Sequence, residues 1–194
     1  RKPPKDWKTY HPPRRPAPKQ WKQLEQSPKF SDGNMLRAYQ LEGLNWLVNC
    51  WYNRRNSILA DEMGLGKTVQ TVAMLEYLRK FHGNRGPFLI VAPLSTISHW
   101  KREVEAWTHM NAVVFHGSAA AREHIKNLEF YYRNEKNNRI ITNIYKFNVL
   151  ITTYEIVLAE STLLKSIPWQ YLVVDEGHRL KNRASKLLDV LRTF

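Results

Sequence analysis

Two places in this chain carry residues that could act on a phosphoryl group. The first is Ser57-Ile58-Leu59-Ala60-Asp61-Glu62-Met63-Gly64-Leu65-Gly66-Lys67-Thr68, a short apolar run, a glycine-bearing loop and the start of a helical pattern. Gly64 and Gly66 let the backbone turn tightly, so that successive N–H groups can point at phosphate oxygens, and the N-terminus of the following helix adds partial positive charge. Asp61, Glu62, Met63, Gly64, Leu65, Gly66, Lys67 and Thr68 would form the cradle, with Lys67 on the β/γ-phosphates and the Thr68 hydroxyl on Mg²⁺. The pattern G-x-x-x-x-G-K-[ST] is met except at its first position, which is Asp61. A glycine-rich turn before a helix with a solvated lysine is the plainer alternative.

The second place is Leu172-Val173-Val174-Asp175-Glu176, an apolar run ending in two carboxylates. Asp175 is suited to hold Mg²⁺ opposite Thr68, and Glu176 to polarise a water for in-line attack on a γ-phosphate. Strand-end acids are often merely solvated; the pair gains meaning from the phosphate loop upstream. Gln40 lies one element before that loop, and its amide can donate and accept at once, which suits the edge of adenine.

These groups need a frame. Leu36, Tyr39, Leu44, Leu47, Val48 and Trp51 recur at helical spacing, as do Thr71, Val72, Leu75, Leu78 and Phe81 after the loop. Ile58 to Ala60, Phe88 to Ala92, Ala112 to Phe115, Val149 to Thr153 and Tyr171 to Asp175 read as strands. Helices are expected over Ser95–Trp107, with Ser95 as N-cap, over 118–133, and from about Ala184. The polar stretch 134–146 reads as an exposed loop or short hairpin. Continuous apolar strands alternating with helices predict an α/β fold with a parallel sheet, whose ligands sit at the carboxyl ends of the strands.

Residues 1–34 differ in kind. Seven of the ten prolines lie in residues 1–28, and residues 1–29 hold nine Lys/Arg against Asp6 and Glu25. Proline at this density favours extended backbone, so an extended basic arm is expected, lying along a folded surface with Trp7, Trp21 and Phe30 as anchors. Two readings fit its charge: phosphate contacts, or a solvated tether to an upstream domain. The whole chain, 194 residues at +13, fits one domain with an arm, and its charge points to a polyanion, nucleic acid before an anionic membrane. Cys50 is the single cysteine, which leaves no disulfide framework. No apolar stretch approaches membrane-spanning length.

The order of motifs resembles that of the helicase-related ATPases that remodel chromatin, within helicase superfamily two. Leu36 to Leu47, Ile58 to Thr68, Pro93-Leu94-Ser95-Thr96, Ile151-Thr152-Thr153-Tyr154-Glu155 and Asp175-Glu176-Gly177-His178-Arg179-Leu180-Lys181-Asn182 look like motifs Q, I, Ia, Ib and II. The chromodomain–helicase–DNA-binding remodellers, and their Kismet-like group in particular, are most similar, through Trp51-Tyr52-Asn53, Val113 to Ser118 and Ile167-Pro168-Trp169. Gly177 departs from the alanine usual there and is similar to the SWI/SNF group.

That resemblance implies a RecA-like lobe over 35–194, a P-loop fold with helices on both faces of its sheet, ending before motif III. It implies ATP and Mg²⁺ as cofactors, Gln40 on adenine, Lys67 and Thr68 on phosphate and metal, and Asp175 with Glu176 in hydrolysis. It places Pro93 to Thr96, His116-Gly117 and Thr152-Thr153 along the backbone of nucleosomal duplex DNA. Histone contacts would come from other parts of a longer nuclear protein. Its second RecA-like lobe would carry the arginine fingers, so turnover is expected to need that lobe. A superfamily-two motor for DNA repair or RNA unwinding, and a nucleic-acid-binding module without turnover, are the rival readings.

Overall fold

The structure, a computed structural model, describes residues 2–60, 66–178 and 184–194. It divides into two compact units. One comprises Arg1–His11, Arg85–Lys101 and Met110–Phe194; the other comprises Pro12–Asn84 and Arg102–His109.

The first unit is built on four parallel strands. They are β1 (Phe88–Val91), β2 (Ala112–Val114), β5 (Val149–Thr152) and β6 (Tyr171–Val174), in the order β2-β5-β1-β6. The register sets Phe88 against Val149 on one side and Tyr171 on the other. Every residue of β1 and β5 is buried, as their unbroken apolar letters require of strands covered on both faces, while β6 at the end of the order is half-buried throughout. The core gathers Leu89, Val91, Phe115, Phe130, Phe147, Leu150, Val157 and Leu164.

Helices fill the crossovers that parallel strands need. They are α3 (Ile97–Trp107), α4 (Ala119–Ile125), α5 (Tyr154–Ala159) and α6 (Ser161–Lys165), with α7 (Ala184–Leu191) following β6. The helix α3 starts two residues after Ser95, and its first intrahelical bond runs from Trp100 N to the Thr96 carbonyl, so Ser95 does not cap it.

The helix expected over 118–133 is shorter than its pattern. Ser118 caps α4, its hydroxyl accepting from Ala121 N, and a widened helical turn covers Lys126–Phe130. Then β3 (Tyr131–Arg133) pairs antiparallel with β4 (Ile140–Tyr145). The aromatic Tyr131 and Tyr132 favour a pleated, half-buried surface, and the partner strand decides the matter. Tyr131 and Tyr145 meet at 5.5 Å between ring centroids, and burial raises the Tyr145 phenol to about 12.

The second unit holds α1 (Ala38–Tyr52) and α2 (Lys67–His82). The helices pack tightly at Gly43, where an added Cβ would stand 1.8 Å from Gln70 Oε1. Gln70 is fully buried, so the glycine is what lets α1 approach. At the far end Trp51, Tyr52, Tyr77 and His82 form an aromatic cluster, with Tyr52 Oη and His82 Nε2 3.2 Å apart. Burial lowers the His82 pKa. Glu76, 1% exposed, is held in a two-point bond by Arg79 at 2.7 and 2.8 Å.

The apolar run Ile58-Leu59-Ala60 forms no strand. Ile58 is 86% exposed, and the run pairs with no strand among the described residues. A strand is a ladder rather than a local conformation, and three apolar residues without a hydrogen-bonding partner have nothing to hold them extended.

The proline-rich stretch makes contacts within each unit. In the first, the Arg85 guanidinium bonds both Asp6 carboxylate oxygens at 2.7 and 2.9 Å and lies 4.5 Å from the Tyr10 ring centroid. Asn143 Nδ2 donates to the Trp7 carbonyl at 2.7 Å. In the second, Asn45 exchanges hydrogen bonds with Leu24 N and O at 2.8 and 2.9 Å, Arg15 lies over Trp51, and Phe30 packs edge-on to Trp107 at 5.4 Å. Among the described residues no helix is long and apolar enough to cross a membrane.

Candidate nucleotide and metal site

The residues expected at the phosphates lie in the second unit. Gly66 stands at the N-cap of α2 with φ 77° and ψ 38°, the left-handed conformation that glycine adopts without cost, and Lys67 and Thr68 are the first two helical residues. Gly66 therefore leads straight into a sixteen-residue helix whose N-terminal dipole favours an anion. The Thr71 hydroxyl donates to the Lys67 carbonyl at 2.9 Å and braces that first turn. Asp61, Glu62, Met63, Gly64 and Leu65, also expected in the cradle, lie outside the described residues.

Gln40 is in the same unit and touches the loop. It is 8% exposed; its Oε1 accepts from Arg37 N at 2.9 Å, closing the first turn of α1. Its Nε2 faces Gly66 so closely that a Cβ there would stand 2.5 Å away. The amide expected at adenine thus links the start of α1 to the end of the phosphate loop. Spacing along the chain carried no sign of that contact.

The two expected carboxylates lie in the first unit. Asp175 follows β6, and its backbone N donates to the Val91 carbonyl at 2.8 Å, extending the sheet by one bond. Trp100 Nε1 on α3 donates to Asp175 Oδ2 at 2.9 Å, and Glu176 N donates to Oδ1 at 2.9 Å. The Tyr154 hydroxyl on α5 donates to the Asp175 carbonyl. Each carboxylate oxygen keeps a further lone pair. Glu176 has φ 54°, a left-handed conformation costly for a residue with a Cβ, and such strain clusters at functional sites. His178 Nε2 lies 3.2 Å from Glu176 Oε2. Arg179, Leu180, Lys181 and Asn182 lie outside the described residues.

Among the positions expected along a DNA backbone, Leu94, Ser95 and Gly117 are exposed. Thr152 and Thr153 are fully buried, and the Thr152 hydroxyl donates to the Phe115 carbonyl at 2.7 Å. The Thr152 hydroxyl serves the sheet rather than its surface, because β5 is an inner strand, while Thr153 Oγ1 is buried with no hydrogen-bond partner among the described residues. Sequence reasoning passed over Trp100 and Tyr154, whose partner lies 75 and 21 residues away.

A family model, the SNF2-related domain, matches residues 39–194. The chain is 53% identical to chromodomain-helicase-DNA-binding protein 8 of Xenopus tropicalis over 178 residues, 92% of this chain and 8% of that protein. It is 52% identical to chromodomain-helicase-DNA-binding protein 6 of Homo sapiens over 180 residues, 92% of this chain and 6% of that one. It thus spans less than a tenth of either relative. Among solved structures it is similar to the Sulfolobus solfataricus SWI2/SNF2 ATPase core in complex with dsDNA, with a TM-score of 0.70 and 28% identity over 90% of this chain and 32% of that one. The matched region includes Gln40, Lys67, Thr68, Asp175 and Glu176, and the chain belongs to the SNF2-related domain family.

Proposed function

We propose that this chain is the nucleotide-binding lobe of an ATP-driven translocase that follows the backbone of duplex DNA and moves nucleosomes. The observation that carries the reading is left-handed Gly66 leading directly into α2 with Lys67 and Thr68 in its first turn. Lys67 binds the β/γ-phosphates, the backbone N–H groups of the loop and of the first turn of α2 hold the remaining phosphate oxygens, and Gln40 takes the edge of adenine. Glu176 accepts the proton of the attacking water.

Thr68 and Asp175 offer hard oxygen donors, which fit Mg²⁺. Mg²⁺ is usually bound by one or two carboxylates together with substrate phosphates. Bound Mg²⁺ supplies neutralisation of charge on the transferring phosphate.

A net charge of +13 and the likeness to a core solved with dsDNA support the duplex partner, and the names of the relatives support chromatin and the nucleus. Histone contacts and the arginines that complete hydrolysis come from other parts of a longer protein. The test uses a protein extended through a second lobe. Lys67→Ala should lose most binding of a fluorescent ATP analogue, because a charge-assisted bond to phosphate is removed, whereas Glu176→Gln should bind and not turn over. Wild-type affinity in Lys67→Ala would refute the assignment.

A further inference from the structure

We infer that Trp100 and Tyr154 are positioning residues for the metal carboxylate, and that through them the DNA-facing start of α3 bears on Asp175. The inference rests on the functional reading above for the identity of the metal and the DNA, and on the first unit alone for its geometry.

Asp175 is restrained from three directions. The Trp100 indole N–H donates to Oδ2 at 2.9 Å, the Glu176 N–H donates to Oδ1 at 2.9 Å, and the Tyr154 hydroxyl donates to the main-chain carbonyl. The carboxylate plane is therefore set by two donors on its two oxygens, and each oxygen's remaining lone pair has a defined direction. A carboxylate so held presents one geometry to an octahedral cation, which dehydrates reluctantly and tolerates little misplacement.

Trp100 suits the task because its ring is anchored. It is 4% exposed, and its backbone N–H bonds the Thr96 carbonyl at 3.0 Å in the first turn of α3. Thr96 in turn bonds the Pro93 carbonyl through both its N–H and its hydroxyl, at 2.9 and 3.0 Å. Between them Leu94 and Ser95 are exposed, Leu94 at 58%. A load on Leu94 or Ser95 meets a hydrogen-bonded turn, then the start of a helix, and then the indole that orients the metal ligand. Tyr154 is the first residue of α5 and places a second donor on the same aspartate. Both act through Asp175 and touch neither nucleotide nor metal.

The experiment reads the indole directly. The chain has seven tryptophans, and Trp100→Phe identifies the Trp100 indole N–H resonance while keeping an aromatic ring in the core. That resonance should move on Asp175→Asn, and again when Mg²⁺ and a non-hydrolysable ATP analogue are added to the wild-type chain. A resonance indifferent to both overturns the inference.

In the two-lobed protein, Trp100→Phe and Tyr154→Phe should each raise the Mg²⁺ concentration for half-maximal DNA-stimulated hydrolysis, by about ten-fold for Trp100→Phe, since partners of metal ligands are worth roughly 10–100-fold in metal affinity. Excess Mg²⁺ should restore the rate, which a merely structural loss would not allow. An unchanged Mg²⁺ demand overturns the inference and leaves the functional reading intact. That reading falls separately, if Lys67→Ala binds nucleotide as wild type does.

Discussion

Replacing Gly66 by alanine tests the junction on which the phosphate site depends. At φ 77° and ψ 38° the residue is left-handed, a conformation that costs a residue with a Cβ roughly 1–2 kcal/mol. The new methyl would also stand 2.5 Å from Gln40 Nε2 and 3.7 Å from Gln40 Cδ. The Gln40 amide has little room to retreat, because it is 8% exposed and its Oε1 holds Arg37 N at 2.9 Å. Breaking such a bond at a helix start costs about 0.5–2 kcal/mol. The two costs together come to about 1.5–4 kcal/mol, a large share of the roughly 5–15 kcal/mol that holds a domain folded.

Urea unfolding of Gly66→Ala should show that loss, and affinity for the ATP analogue should fall with it. The two contributions separate in a double-mutant cycle. In a Gln40→Ala background the same glycine substitution should cost only the backbone part, about 1–2 kcal/mol. A variant within about 0.5 kcal/mol of wild type, the range of an ordinary surface change, would refute the backbone argument. An equal cost in both backgrounds would refute the contact with Gln40.

Two more outcomes follow from the second unit. Gly43→Ala puts a methyl 1.8 Å from Gln70 Oε1; overpacking of this kind costs about 1–3 kcal/mol, and thermal unfolding should show Gln70→Ala recovering part of it. His82, whose pKa burial lowers from 6.5, stays neutral in the fold while the unfolded chain takes up a proton, so this group's contribution is lost as pH falls through about 6.5 and below. The urea midpoint should fall across that window in wild type and fall less in His82→Phe, and equal slopes would discard the assignment.

Letters alone determined much of this protein. Phe88 to Val91 and Val149 to Ile151 are apolar without interruption because both faces of those strands are covered, and that condition is written residue by residue. The helix after Gly66 was equally legible, since a glycine before Lys67 and Thr68 and a 3.6-residue period are both local signals. The tertiary structure decided what depends on a distant partner. Ile58 to Ala60 has strand letters but no ladder, and Ile58 stands 86% exposed. Tyr131 to Arg133 continued a helical pattern, yet pairing with Ile140 to Tyr145 made it a strand. The Thr152 hydroxyl, placed by motif beside a DNA backbone, is spent on the Phe115 carbonyl inside the sheet. Gln40 reads as a base-recognising amide, and only the fold shows that its Nε2 lies against Gly66; Trp100 gave no sign of the bond to Asp175 that spans 75 residues. A hydrogen bond between residues so far apart leaves no period and no spacing in the chain, because only the packing of α3 against the end of β6 brings its two ends together.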